Sequence, residues 1–471
     1  MLFIAGKITK QNTSAAARLQ VLTKLEERGF MPVIRSMRRQ AFAIALAGAE
    51  ENAGGIEQLL AAATERQGDT AYTCGDLFCL QDAVLFLLFG EVEAGVARAG
   101  IIYEGDAASS HETLEEFCRN VRDAFDAATS QSGRRDETEW QEEARTSQFF
   151  TRFIAHMQAD SAAATMQSTA TSVESERGLE LLQEPEARRL LHRLVEAQSE
   201  NRAGELLTGG ADEAATETLI RRLSGAQLLR QEVLVSCRRE GRSLFRLPTR
   251  DALAVLTASD ATCSECGANV ADEKIEELIK PTDLARTLLE ENSWLINSLR
   301  STLDELGVRA EDFAVRERAT NGVREAMVEV CGESFLIMLK DGEWTTAHAR
   351  QALDRVIETE AKHLVIVSTG KIGDEARARL REFARRRQGA GDEAEVILVE
   401  GAEGMAAELR HAFDRASHKA IADELFVLDT NAGFSVGEVV AARFRIAHKH
   451  TAQNNVTESA FGATAGRLHE S

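Results

Sequence analysis

Apolar residues recur with period two in some stretches of the chain and at helical spacing in others, and the changes of period delimit its elements. Phe3-Ile4-Ala5-Gly6-Lys7-Ile8 reads as a strand, and Ala15 to Arg28 as a helix with leucines on one face. Met31 to Ala47 alternates and predicts one or two further strands. Ala83 to Phe89 and Gly95 to Tyr103 follow as strands, then His111 to Ala127 as a helix with Ser110 at its N-cap. This mixture makes residues 1–128 an α/β domain, and it carries no phosphate-binding glycine motif. Cys74 and Cys79 within it fit small buried thiols.

The pattern weakens over 129–178, which reads as a linker with one short helix, Phe149 to Met157. Ala159 to Arg177 is dominated by Ala, Ser, Thr and Gln and offers little to bury, so it predicts a flexible connection. Residues 179–258 follow a helix–helix–helix–hairpin order. Pro185 opens a helix running to Gln198, Arg202 to Leu207 gives a second, and Ala214 to Ser224 with Gln227 to Glu232 a third. Val233 to Arg239, a turn at Glu240-Gly241, and Arg242 to Leu247 then form a hairpin. Residues 259–306 hold a Cys263-Ser264-Glu265-Cys266-Gly267 loop and a helical connector, Asp272 to Leu278 and Asp283 to Leu306. From 307 to 426 the order is strand, hairpin, helix, strand, helix, strand, helix; 427–471 is a C-terminal extension whose end, Thr451 to Ser471, is polar. The chain is therefore expected to be an α/β multidomain protein.

Two resemblances refine that expectation. Three helices followed by a hairpin over 179–258 resemble a winged helix. The stretch Leu364-Val365-Ile366-Val367-Ser368-Thr369, followed by a helix opening at Asp374-Glu375-Ala376, is similar to the Mrr-type branch of restriction-endonuclease-like domains, and Val396 to Glu400 with the helix after it fits that branch's next unit. The resemblance implies a Mg²⁺-dependent nuclease site on the preceding hairpin. An acid opens its first strand, an acid or Gln stands two residues before a Lys on the second, and the metal lowers the pKa of a bound water. Lys340 occupies the lysine place, Glu325 the first acid (Glu329 being a weaker substitute), and Met338 stands where the second acid belongs. Asp341 or Glu343 would have to supply a displaced ligand. The pattern favours a fold that keeps its sheet without the metal.

Charge sharpens the functional expectation. The chain of 471 residues carries a net charge of −21, yet Arg221, Arg222, Arg230, Arg238, Arg239, Arg242, Arg246 and Arg250 crowd one segment opposed only by Glu232 and Glu240. Such a run is suited to neutralising phosphates, and DNA is the expected partner. A second run from Arg377 to Arg387 reads as an exposed helix face. Cys263 and Cys266 have the spacing of a zinc knuckle, but one turn supplies two ligands where a tetrahedral site needs four, so a half-site without zinc is favoured. The seven cysteines are odd in number and scattered, no apolar run approaches about eighteen residues, and the N-terminus reads as a strand, not a signal peptide; these features predict a cytoplasmic protein with no membrane partner. Histidines are scattered, and no Ser/His/Asp or Cys/His arrangement stands out. Three functions fit: a non-catalytic nucleic-acid-binding subunit or scaffold of a bacterial defence or genome-maintenance system, with a homo-oligomeric or protein partner; a Mg²⁺-dependent DNA endonuclease; and a winged-helix regulator with an N-terminal sensor. The first is favoured.

Overall fold

The computed structural model describes residues 1–446 except 12, 46–52, 67–70, 91–94, 106, 130–138, 144–146, 161–172, 197–200, 203–212, 260, 317–318 and 390–393. The chain is a mixed α/β protein, with three β-sheets among the described residues. It divides into two compact units, one comprising Met1–Ser147, Glu329–Glu333 and the chain from Leu409 onward, the other Gln148–Val328 and Ser334–Glu408. Thr451 to Ser471 lie outside the described residues.

The first unit is built on a five-stranded sheet of order β2-β3-β4-β1-β5, comprising β1 (Leu2–Lys10), β2 (Gly75–Cys79), β3 (Ala83–Phe89), β4 (Val96–Glu104) and β5 (Gln141–Glu142), with every pair antiparallel. Strand β3, Ala-Val-Leu-Phe-Leu-Leu-Phe, is buried along its whole length because both faces of the sheet are covered. On one face α1 (Ala15–Glu27) and α4 (Ala107–Thr129) bring Leu22, Leu25, Phe117 and Phe125 against Leu85, Leu87 and Ile101. On the other, α14 (Met405–Ala432) and the C-terminal α15 (Val436–Ile446) bring Ile421, Leu425, Leu428 and Phe444 against Leu2, Ile4, Val84 and Ile102. Burying two such layers supplies most of the hydrophobic stabilisation of this unit.

The expectation of strands at 31–47 is corrected: Val33–Ala45 is helix α2. Pro32 precedes it, and the carboxylate of Asp76 accepts from Ile34 N at 2.8 Å and Arg35 N at 2.9 Å, which satisfies its first free N–H groups. Arg35 then pairs with Glu57 on α3 (Ala53–Arg66) at 2.9 Å. Helix α4 starts before Ser110, which lies inside its first turns and is not its cap.

The second unit carries the other two sheets. One has the order β10-β11-β12-β13-β14, from Phe313–Val315, Val323–Val330, Glu333–Lys340, His363–Ser368 and Val396–Glu400. Strands β12, β13 and β14 are parallel, joined through α12 (Thr346–Thr359) and α13 (Asp374–Gly389), as their uninterrupted apolar runs require. Phe150 and Phe153 from α5 (Gln148–Asp160) join Met327, Leu336, Met338, Trp344, Val356 and Leu364 in one core. From β10 to α14 the order of elements is the one the periodicity predicts, while the helix Val436–Ile446 falls in what was expected as a C-terminal extension.

The remaining sheet has the order β6-β9-β7-β8, from Asn201–Arg202, Lys274–Pro281, Leu229–Ser236 and Ser243–Leu247, and is antiparallel throughout. Two helices of the second unit, α6 (Val173–Leu182) and α7 (Pro185–Glu196), precede it; the first corrects the expected flexible connection over Val173 to Arg177. Arg202 belongs to strand β6, and 203–207 of the expected second helix lie outside the described residues. Helix α8 (Glu213–Gly225) ends where Gln227 adopts φ of 57°, so Leu229 to Glu232 continue as strand and not as helix. The helix expected over Asp272 to Leu278 is corrected: Lys274–Pro281 is a strand because β7 pairs with it over its full length and buries Leu278 and Ile279. Asn292, at φ of 59°, breaks the long helix expected over 283–306 into α10 (Asp283–Leu289) and α11 (Ser293–Glu305). Among the described residues no single helix is long and apolar enough to cross a membrane.

Candidate metal centre and arginine hairpin

The β7–β8 hairpin and the loop that follows it converge on one cluster of side chains. Ser236 pairs with Lys274, so continuing the antiparallel register by one step sets Cys237 beside Glu273. From β8 the chain enters α9 (Arg250–Ala258), capped by the Thr249 hydroxyl accepting from Ala252 N. It then forms the tight turn Cys263 to Gly267, with Cys263 N donating to Ala268 O at 2.7 Å. Val233, Val235, Val270 and the partly buried Leu253 form a small core beneath this turn. The donor atoms of Cys237, Cys263, Cys266 and Glu273 all lie within 4.8 Å of one another. Cys237, Cys263 and Glu273 are buried, and Cys266 is partly so.

The two cysteine turns share one backbone plan. Gly241 N donates to Cys237 O at 2.8 Å, and Gly267 N donates to Cys263 O at 2.9 Å. Gly241 has φ of +69° and Gly267 +72°, conformations that glycine adopts without the Cβ penalty of other residues. Cys266 Sγ donates to Glu273 Oε1 at 3.0 Å, and that bond pushes the thiol up to about 12 while lowering the Glu273 carboxyl. Arg238 N donates to Glu273 Oε2 at 2.5 Å. The Glu240 N–H points at Cys237 Sγ from 3.4 Å and lowers that thiol. The spacing of Cys263 and Cys266 pointed to this place, and the structure completes a four-donor set with Cys237 and Glu273. Glu273 was missed because it begins a segment whose apolar spacing reads as helical. The repeated Cys-x-x-x-Gly spacing at 237–241 and 263–267 was the available signal.

The arginines of the basic run are spread over the helix, strands and turn of this region. Arg221 and Arg222 lie on α8, Arg230 on β7, Arg238, Arg239 and Arg242 on the turn, and Arg246 on β8, and all seven are exposed. Several meet the protein's own carboxylates: Arg221 with Glu217 at 3.3 Å, Arg222 with Glu184 at 2.5 Å, Arg230 with Glu232 at 3.0 Å, Arg242 with Glu265 at 3.3 Å, and Arg250 with Glu277. Strand β9 thus sets Glu277 against Arg250, while its Glu276 pairs with Lys274 at 3.0 Å. The Lys280 hydrogen bond, with Arg230 and Arg246 nearby, holds the Glu232 carboxyl below its ordinary range.

The residues expected to bind Mg²⁺ take different places. Glu325 is 1% exposed and pairs with Arg316 at 3.2 Å and Arg355 at 2.8 Å. Burial pushes its carboxyl up, and the Arg316 guanidinium opposes that shift. Asp341 accepts from Thr369 Oγ1 at 2.5 Å and meets Arg188 Nε at 3.3 Å and His192 Nε2 at 3.4 Å. Lys340 ends β12 with its ammonium beside the turn at Gly322, where an added methyl would lie 3.7 Å from Nζ. Among the described residues no ion pair joins Lys340 to Glu325 or Asp341. Met338 is buried in the core. Each carboxylate is paired with arginine.

No family model, curated protein or solved structure matches this chain.

Proposed function

We propose that the protein is a nucleic-acid-binding, non-catalytic subunit or scaffold that uses the arginines of the β7–β8 hairpin and helix α8 against phosphates. The observation that carries this reading is the exposed tip, where Arg238, Arg239 and Arg242 project from a turn whose backbone is pinned at both ends. A turn fixed in this way presents its guanidinium groups with less ordering cost on binding than a free loop would. The carboxylate partners do not cancel the tip. Exposed arginine–carboxylate pairs are worth about 0–1 kcal/mol and are readily exchanged for bidentate contacts to phosphate.

Mg²⁺-dependent cleavage finds less support, because Glu325 and Asp341 are already bound to arginine and a hard cation needs free oxygen ligands. Of the two cations considered from the sequence, zinc suits the sulfur-rich cluster and Mg²⁺ does not. The winged-helix resemblance stays a likeness of helices and hairpin; here the hairpin is extended by β9 and β6 into a four-stranded sheet.

The test is a gel-shift comparison of wild type with the triple variant Arg238→Ala, Arg239→Ala, Arg242→Ala, using duplex and single-stranded probes. Retarded complexes for wild type and at least tenfold weaker retardation for the variant are expected. Equal binding by both proteins, or none by wild type, would reject the assignment.

A further inference from the structure

We propose that Cys237, Cys263, Cys266 and Glu273 bind one Zn²⁺ as a closed site of three thiolates and one carboxylate, which locks the two cysteine turns together. The proposal rests on this cluster alone and stands whether or not the arginine tip meets nucleic acid.

The donor set selects the ion by chemistry. Three sulfurs and one carboxylate oxygen suit Zn²⁺ far better than Mg²⁺ or Ca²⁺, which take oxygen ligands. Zn–S bonds of about 2.3 Å and a Zn–O bond of about 2.0 Å place tetrahedral donors roughly 3.5–3.8 Å apart. The donor atoms, within 4.8 Å of one another, reach that arrangement by a small inward movement of side chains. Cys237 and Cys263 are anchored by backbone hydrogen bonds on both sides, and Glu273 is oriented by Arg238 N. Supporting hydrogen bonds of this kind fix first ligands in metal sites.

The two turns also explain why a carboxylate completes the set. In Cys263-Ser264-Glu265-Cys266-Gly267 the fourth position is a cysteine, whereas in Cys237-Arg238-Arg239-Glu240-Gly241 it is Glu240. Both turns have the same Gly N–H to Cys carbonyl bond, so Glu240 stands where a second knuckle cysteine would stand. Glu240 is exposed, and Glu273, carried in by the β7–β9 register, holds the fourth place instead.

The experiment uses the full chain purified under reducing conditions. Elemental analysis should return about one zinc per chain. After replacement by Co²⁺, a thiolate-to-cobalt charge-transfer band is expected, weakened in Cys263→Ser and Cys266→Ser and retained in Glu273→Gln. Glu273→Gln should release zinc to a chromogenic chelator at least tenfold faster than wild type, and adding Glu240→Cys to that variant should restore slow release. Wild-type protein that holds iron or no metal, or whose cobalt form lacks the thiolate band, overturns the proposal; the wild-type measurements decide it even if a cysteine variant fails to fold. Fast release persisting in the double variant overturns the assignment of the Glu240 position.

Discussion

Asp341 shows how one residue can suggest catalysis in sequence and serve architecture in the fold. It follows Lys340 at the end of a buried strand, a place that suits a metal ligand. Its oxygens are taken by Thr369, Arg188 and His192, and Arg188 itself is 6% exposed, stacked over Trp294 and bonded to Leu182 O and Gln183 O. Burial alone would push Asp341 up, but the His192 and Thr369 hydrogen bonds and the Arg188 charge outweigh it and hold the carboxyl below its ordinary range. A carboxyl lowered on folding stabilises fully above its unfolded value near 4, and that contribution disappears as the pH falls through the lower folded value. Asp341→Asn, which leaves a buried guanidinium without its counter-charge, should therefore cost about 3 kcal/mol at neutral pH. The gap to wild type should narrow as the pH drops below about 4, measured by urea unfolding at stepped pH. A gap independent of pH would contradict this role. At this scale the sequence disclosed spacing but not partners. Cys263 and Cys266 were visible from their separation, whereas Glu273 depends on a strand register that no local pattern encodes.

Elements were legible where one period dominates and both neighbours are local. Strand β3, the β7–β8 hairpin and the alternation of strands and helices from β12 to β14 follow directly from apolar runs and turn residues. Lys274–Pro281 was not, because Ile275, Leu278 and Ile279 are spaced as on a helix while the edge of β7 recruits the segment into a sheet. Val33–Ala45 failed in the other direction, since its helix depends on Asp76, which is distant in sequence and caps it. Glu325 joins elements in the same way: from β11 it reaches Arg316 after β10 and Arg355 on α12. Glu325→Gln should lower stability by about 3 kcal/mol, as expected when one partner of a buried ion pair is removed. Thermal unfolding checks this, and an unchanged midpoint would mean that the pairs contribute nothing.

For the molecule as a whole, the least legible feature is the return of the chain to its beginning. Helices from the C-terminal part cover a face of the N-terminal sheet, placing Ile421, Leu425, Leu428 and Phe444 against Leu2, Ile4, Val84 and Ile102. Period and composition report what each segment buries but not which distant segment buries it. Ending the chain after Glu408 would uncover that apolar face, so the truncated protein should bind a hydrophobic dye and aggregate, and a soluble monomer that excludes the dye would refute the packing role. The acidic balance of the chain likewise conceals a local charge pattern, with the exposed arginines gathered on one hairpin and helix. Whether that pattern meets a polyanion is decided most directly by the salt dependence of affinity, followed by fluorescence anisotropy with labelled duplex and single-stranded probes. Phosphate contacts by the tip arginines require the logarithm of the association constant to fall linearly with the logarithm of salt concentration, by about 0.9 per duplex phosphate neutralised, and the triple tip variant should have a slope shallower by roughly 2–3. A flat slope for wild type, or an identical slope for the variant, would contradict the assignment.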